Sequence, residues 1–154
     1  MNKQIENILK GKAMGHPVHI MLVHFPVAFF PMSAVLDFLS IVYSNSALSL
    51  FSFYSSSAGV ILGTLAIIFG TIDLIKISPK EKHFNIALIH GGLNFLWIII
   101  FAAIAGINLK YYPSINIASG TQTIIEFLSV AGMIYSNFLG GELVLKFGMG
   151  KKES

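Results

Sequence analysis

Four long apolar segments, separated by short polar stretches, dominate the hydrophobicity pattern of this chain. They cover residues 18–43, 50–75, 84–107 and 119–139. A transmembrane α-helix needs about 20 predominantly apolar residues to cross the hydrocarbon core of a bilayer, so each segment is long enough to span it. Short connections favour antiparallel neighbours. The pattern therefore predicts an all-α integral membrane protein, an up-down-up-down four-helix bundle.

The composition agrees with a membrane protein. Hydrophobic residues make up 55% and charged residues 11% of the 154 residues, and the mean hydropathy is +0.76. So few polar side chains cannot cover the surface of a soluble globule of this size. We therefore expect a single transmembrane domain over residues 1–154, with the lipid bilayer as its main partner.

The placement of the lysines predicts an orientation in the membrane. The two loops that follow the first and third segments hold only Lys110, whereas the other flanks are rich in lysine. The lysines of those flanks are Lys3, Lys10, Lys12, Lys76, Lys80, Lys82, Lys146, Lys151 and Lys152. The positive-inside rule then puts both termini in the cytoplasm. Because the net charge of +3 comes from these flanks, it indicates orientation and not nucleic-acid binding.

Histidines are the most informative polar residues of the apolar segments. His16, His19 and His24 surround the start of the first segment, in the run GHPVHIMLVHFP, and His90 lies inside the third. An imidazole in hydrocarbon is costly unless a partner or a metal satisfies it. If the first and third helices begin with their apolar segments, His24 and His90 both lie about 9 Å into the membrane, at about 1.5 Å per residue. We expect them to face each other across the bundle.

Two imidazoles at equal depth suit a haem b. A haem iron takes an axial pair of protein ligands, and its flat macrocycle needs room between the helices. Gly63 and Gly70 lie on one face of the second segment, and Gly91 directly follows His90. Small residues of this kind also serve close helix packing, so they permit a cofactor without requiring one. The absence of cysteine excludes disulfides, c-type haem attachment and Cys-ligated iron–sulfur sites.

A compact non-haem metal centre is an alternative that uses some of the same residues. Asp73 and Glu142 fall near the same end of the bundle as the histidines, where a carboxylate can bind a metal or accept a ring N–H. The alternative ligand set for zinc, iron or manganese is His19, His24, His90, Asp73 and Glu142. Under the haem hypothesis, the haem propionates would instead meet lysines, backbone N–H groups, or His16 and His19. A scaffolding subunit without a cofactor is the third alternative.

Two stretches of the sequence point to a family. The run from His16 to Pro26, HPVHIMLVHFP, and the closing GGELV at 140–144 resemble the DUF2231 family of small bacterial four-span membrane proteins, over almost the whole chain. The resemblance implies the bacterial inner membrane. Some members resemble membrane modules fused to Rieske-type or cytochrome c domains, which implies electron transfer by analogy. The family pattern commonly has proline at Ile20 and histidine at Phe147. The positions that match are His16, His19, His24 and His90.

These observations predict a cytochrome b-like electron-transfer module with His24 and His90 as axial ligands of haem b. Such a module needs redox partners, and we expect other membrane subunits of a respiratory or similar complex, or a second copy of this chain. Quinone is a candidate electron carrier. The sequence contains no phosphate-binding loop or hydrolase motif, so catalysis is not implied. The sequence also shows no evident internal repeat.

Overall fold

Four long helices make up most of the computed structural model, which describes residues 12–13 and 16–149. The helices are α1 (Val18–Val42), α2 (Ser46–Ile75), α3 (Phe84–Leu109) and α4 (Gly120–Leu145). Ahead of α1, the two-residue strands β1 (Lys12–Ala13) and β2 (His16–Pro17) pair antiparallel. All four helices are long and apolar enough to cross a membrane. The all-α four-helix membrane fold predicted from the sequence is confirmed.

Capping residues set the starts of α2 and α4. The α2 helix begins at Ser46, earlier than the apolar run, because the side chain of Asn45 accepts a hydrogen bond from the N–H of Ala47 at 3.0 Å. Ser119 caps α4 in the same way, accepting from the N–H of Gln122 at 3.1 Å. These side-chain oxygens satisfy backbone donors that a helix leaves unpaired at its first turn. Helix ends therefore follow local polar chemistry more closely than the limits of the apolar segments.

The last helix continues beyond the end that the sequence predicts. The helix passes through Gly140 and Gly141 and ends at Leu145, whereas the prediction ended it at residue 139. Glycine is tolerated in membrane helices because the backbone there has no water to bond and keeps its internal hydrogen bonds. An ion pair between Glu142 and Lys146, one turn apart, accompanies this extension.

The helices form a ring in chain order. Each helix packs against the next, and α4 closes the ring against α1, so α1 and α3 lie diagonally opposite. At the centre, the rings of Phe30 and Phe101 stack at a centroid distance of 4.0 Å and an interplanar angle of 2°. Ile98 and Met133 complete this apolar cluster. Large apolar side chains such as Leu128 point outward, as expected of a surface that faces lipid.

Hydroxyl groups occupy much of the remaining interior. Ser52 donates to the carbonyl of Ser33 at 3.0 Å, and Ser55 donates to the carbonyl of Phe29 at 2.8 Å, so α2 is hydrogen-bonded to α1. Small polar residues let membrane helices approach closely and bond across the interface. The buried hydroxyl residues are Ser33, Ser40, Ser49, Ser52, Ser56, Thr123, Ser129 and Ser136. We call the end of the bundle that holds His19 and His90 the histidine end. The opposite end, which holds the α1–α2 and α3–α4 loops, is called the loop end.

Candidate cofactor site

A cavity of about 980 Å³ opens at the histidine end and is lined by all four helices. This volume lies in the range typical of pockets that bind small molecules and cofactors. The cavity gathers most of the candidate residues in one place. Those on its wall are His19, His24, Gly70, Asp73, His90 and Gly91.

His19 lies on the first turn of α1 and is fixed by α2. Its Nδ1 is 2.8 Å from the carbonyl oxygen of Ala66. The ring also lies close to Gly70, where an added Cβ would be 2.8 Å from His19 Cε1. A larger residue than glycine at position 70 would therefore collide with the imidazole.

His90 lies on α3 and is fixed by α4 in the same way. Its Nδ1 is 2.7 Å from the carbonyl oxygen of Ser136, and a Cβ added to Gly140 would lie 2.7 Å from His90 Cε1. Asn94, one turn further along α3, donates to the carbonyl of His90 at 2.9 Å. Both imidazoles are thus held by a backbone carbonyl and a glycine of the helix that follows in the chain.

The rings of His19 and His90 lie next to each other inside the cavity. Their centroids are 6.4 Å apart and their planes make an angle of 79°. A carbonyl oxygen only accepts hydrogen bonds, so each Nδ1 carries a proton. The Nδ1 atoms are thus used by the backbone, and the Nε2 atoms are the ring nitrogens left to bind another partner.

The structure brings His19, and not His24, against His90. The expectation for His24 rested on equal counting from the two helix starts, but His19 is the second residue of α1 and His90 the seventh of α3. These two helices therefore begin at different depths. His24 follows His19 by five residues, about 140° around a helix with 3.6 residues per turn. His24 is accordingly exposed and contributes only to the wall of the cavity.

The candidate glycines serve different purposes. Gly91 and its neighbour Gly92 have no atom within 4 Å of an added Cβ, so the cavity is open beside His90. Gly63 is instead a packing residue, because an added Cβ would lie 2.8 Å from Ile98 Cδ1. His16 belongs to β2, but its side chain lies outside the part of the chain that the structure describes.

The candidate carboxylates do not converge with the histidines. Asp73 lines the cavity and forms an ion pair with Lys76 at 2.8 Å, while Glu142 pairs with Lys146. Within residues 12–13 and 16–149, no group of three or more His, Asp or Glu side chains is placed to bind a metal ion. The five residues of the alternative non-haem set therefore do not form one ligand cluster in the described structure.

His83 lies at the mouth of the cavity. Its ring stacks on Phe147 at a centroid distance of 4.9 Å, and its Nε2 is 3.2 Å from Glu81 Oε2. Phe147 is one of the two positions named above at which the sequence departs from the pattern of the family it resembles. In this chain an aromatic ring, and not a second imidazole, covers His83.

The two halves of the chain repeat the same contacts, which sequence reasoning missed. His19 and His90 are 71 positions apart, as are Phe30 and Phe101, and each pair meets near the centre of the bundle. The residues that contact the two histidines are 70 positions apart in sequence. Ala66 and Gly70 contact His19, and Ser136 and Gly140 contact His90 in the same way. The α1–α2 and α3–α4 hairpins are therefore equivalent about an axis along the bundle. Comparing the sequence with itself at this spacing aligns only isolated identities, too few to reveal the repeat.

The fold and the cavity define a class, a four-span helical membrane protein with a pair of interior imidazoles at one end. The family model named DUF2231, described as a predicted membrane protein, matches residues 15–153. The chain belongs to this family, and the resemblance seen in the sequence is confirmed. Comparisons with curated proteins and with solved structures gave no match.

Proposed function

We propose that this protein is a membrane electron-transfer module that binds haem b, with His19 and His90 as the axial ligands. The observation that carries the proposal is the pair of interior imidazoles, each with its Nδ1 bonded to a backbone carbonyl. A bond from Nδ1–H to a carbonyl is the usual support of a metal-binding histidine, because it fixes the tautomer and the ring orientation.

The ring separation supports two imidazoles on one metal ion. A metal lies about 2 Å from an imidazole nitrogen, and the ring centre lies about 1 Å further, so two such rings have centroids about 6 Å apart. The observed 6.4 Å matches this value. A centroid distance of this size leaves room for a single metal ion between the two imidazoles.

The number of available ligands favours haem over a bare metal ion. Zinc sites use three or four protein ligands, whereas haem iron receives four from the macrocycle and takes one or two from the protein. The described residues offer two converging imidazoles and no third ligand. The cavity and the open surface at Gly91 and Gly92 supply space for a flat ring beside His90.

Electron transfer is the role that this ligand set favours. With both axial positions occupied by histidine, a bound haem would supply a one-electron couple and no free site for oxygen or substrate. The chain's residues hold and orient the group, and the apolar outer surface keeps it in the bilayer. By the positive-inside rule, the lysine-rich flanks favour a site at the cytoplasmic side of the bacterial inner membrane. Its partners are other redox subunits, a second copy or quinone.

The absorption spectrum of the full chain, purified in detergent from haem-supplied cells, tests the proposal. We expect a haem b band in the wild type that sharpens on reduction. His19→Ala and His90→Ala should each abolish it, and His24→Ala is the matched control on α1 that should retain it. A colourless but folded wild type would exclude the proposal, and elemental analysis would then identify a bound zinc, iron or manganese. If the purified protein contains neither haem nor a metal ion, the scaffolding role is the alternative that remains.

A further inference from the structure

Two carboxylic acids lie buried together in the half of the bundle toward the loop end. Asp37 of α1 and Glu126 of α4 are both 0% exposed, and their carboxyl groups lie within hydrogen-bonding reach of each other. They come from two neighbouring helices, whereas the histidines come from the diagonal helices α1 and α3, and they do not line the cavity. Carboxylic acids inside a membrane bundle are costly and are by default candidates for a functional site.

Only half of the oxygen atoms of this pair have a donor. The side-chain amide of Gln122 donates to Asp37 Oδ2 at 2.5 Å, and Ser33 donates to Glu126 Oε1 at 3.4 Å. The remaining atoms, Asp37 Oδ1 and Glu126 Oε2, are fully buried, and no donor among the described residues meets them with good hydrogen-bond geometry, although the Ser49 and Ser52 hydroxyls lie close to the Asp37 carboxyl. A buried carboxylate oxygen without a donor carries a large desolvation cost.

Among the residues that the structure describes, no ion pair joins a positively charged side chain to either carboxyl group. The other groups that interact with Asp37 are the hydroxyls of Ser49 and Ser52, both from α2. On α3, the buried residues of this half are apolar, including Phe101 and Ile104. Lys110, just after α3, is exposed. Two ionised carboxylates in this setting would repel each other at close range without any cation to offset them.

We propose that Asp37 and Glu126 hold one proton between them and form a proton-binding site of the bundle. A single proton reduces the charge of the pair from two to one and supplies the donor that the unpaired oxygens lack. Carboxyl pairs that share a proton in this way are a known solution where like charges cannot both ionise.

This site is separated from the histidine end by an apolar barrier. The Phe30–Phe101 stack, with Ile98 and Met133, lies between them. Along α1, Asp37 is about 10 Å from Phe30, and His19 is about 16 Å away on the other side, at about 1.5 Å per residue. The partly exposed Gln122 touches Asp37 from the loop end. The proton therefore exchanges with water at the loop end, independently of any cofactor.

Infrared spectroscopy of the full chain in lipid bilayers tests this inference. At neutral pH the wild type should show the C=O band of one protonated carboxyl per chain, and the band should shift in D₂O. Glu126→Gln and Asp37→Asn should each remove it, because the new amide donates to the remaining carboxylate as the proton did. Glu81→Gln, an exposed carboxylate at the other end, is the control that should leave the band unchanged.

Three results would overturn the inference. First, a wild type without the band has two ionised carboxylates. Second, a band that is present in choline chloride but absent in sodium chloride shows that sodium replaces the proton, which identifies a sodium site instead. A band removed by only one of the two substitutions belongs to a single buried acid and not to a shared proton. The first two results are measured on the wild type alone, so either of them overturns the inference even if a substitution prevents folding.

Discussion

Two glycines decide how close an imidazole lies to the neighbouring helix. Each ring rests on a glycine backbone, His19 on Gly70 and His90 on Gly140, and each Nδ1 reaches a carbonyl four residues earlier on the same helix. Without a side chain at that position, the ring can approach the helix and bond to its backbone. At the scale of single residues, the site therefore depends on the two glycines, which leave space for the rings, as much as on the histidines.

Gly140→Ala should displace His90, and Gly141→Ala should not. An added Cβ at position 140 meets the imidazole, whereas at position 141 it meets nothing within 4 Å. We expect Gly140→Ala to lower the free energy of unfolding by about 1–3 kcal/mol, because the added methyl group overpacks the site. The same change should reduce the haem content. Alanine at 141 should be neutral or stabilising by about 0.5–1 kcal/mol, since glycine is a poor helix former. Equal effects of the two changes on melting temperature and haem content would contradict this assignment.

At the scale of helices, the Phe30–Phe101 stack joins the diagonal pair α1 and α3. Most contacts between the helices join neighbours in the bundle, whereas this stack, like the His19–His90 pair, crosses its centre. Phe30 and Phe101 are 1% and 0% exposed, so no lipid reaches them. Dispersion between closely packed rings stabilises membrane bundles, because lipid tails provide no hydrophobic driving force between helices. The stack also separates the polar groups of the two ends.

Phe30→Ala should destabilise the bundle more than Phe138→Ala. The first change opens a cavity at the centre, while Phe138 is 62% exposed on α4. In soluble cores a Phe→Ala change costs about 3–5 kcal/mol. We expect a smaller loss here, because the transfer of apolar surface from water drops out in lipid. Unfolding in mixed micelles with increasing SDS measures the difference, and a Phe30→Ala protein as stable as the Phe138→Ala protein would refute a structural role of the stack.

The whole molecule combines an internal two-fold with an asymmetric distribution of polar groups. The imidazole pair and the phenylalanine pair lie on equivalent positions of the two hairpins, but Asp37 and Glu126 do not, since they come from α1 and α4. The lysines are distributed unevenly between the two ends of the bundle. Lys80 and Lys82 lie in the loop of the histidine end, and Lys110 is the lysine of the loop end among the described residues.

Single-cysteine labelling should report the orientation directly, because the chain has no cysteine of its own. Ser78 and Ser114 are exposed in loops at opposite ends of the bundle. With the lysine-rich end inside, Ser114→Cys should react with an impermeant maleimide in whole cells, and Ser78→Cys only after the cells are opened. The reverse pattern would show that the histidine end faces outward.

The sequence predicted the helices well and the pairing of the site only in part. The four segments, the fold class and the common location of His19, His90 and Asp73 follow from apolar runs and from counting residues along them. The pairing of His90 with His19 could not be predicted, because it depends on the depth at which each helix begins. A helix position shifts by about 100° per residue, so an error of a few residues exchanges one face for the other.

Hydrophobicity alone determined that this chain forms four membrane-spanning helices, because the cost of exposing backbone polar groups to lipid leaves few other folds for such a sequence. Its run of histidines and closing glycines also determined its family. Only the tertiary structure decided which imidazoles meet, which glycines make room for them and that Asp37 and Glu126 lie together. These contacts join residues distant in sequence, and their geometry depends on helix depth, rotation and packing, none of which a local pattern encodes.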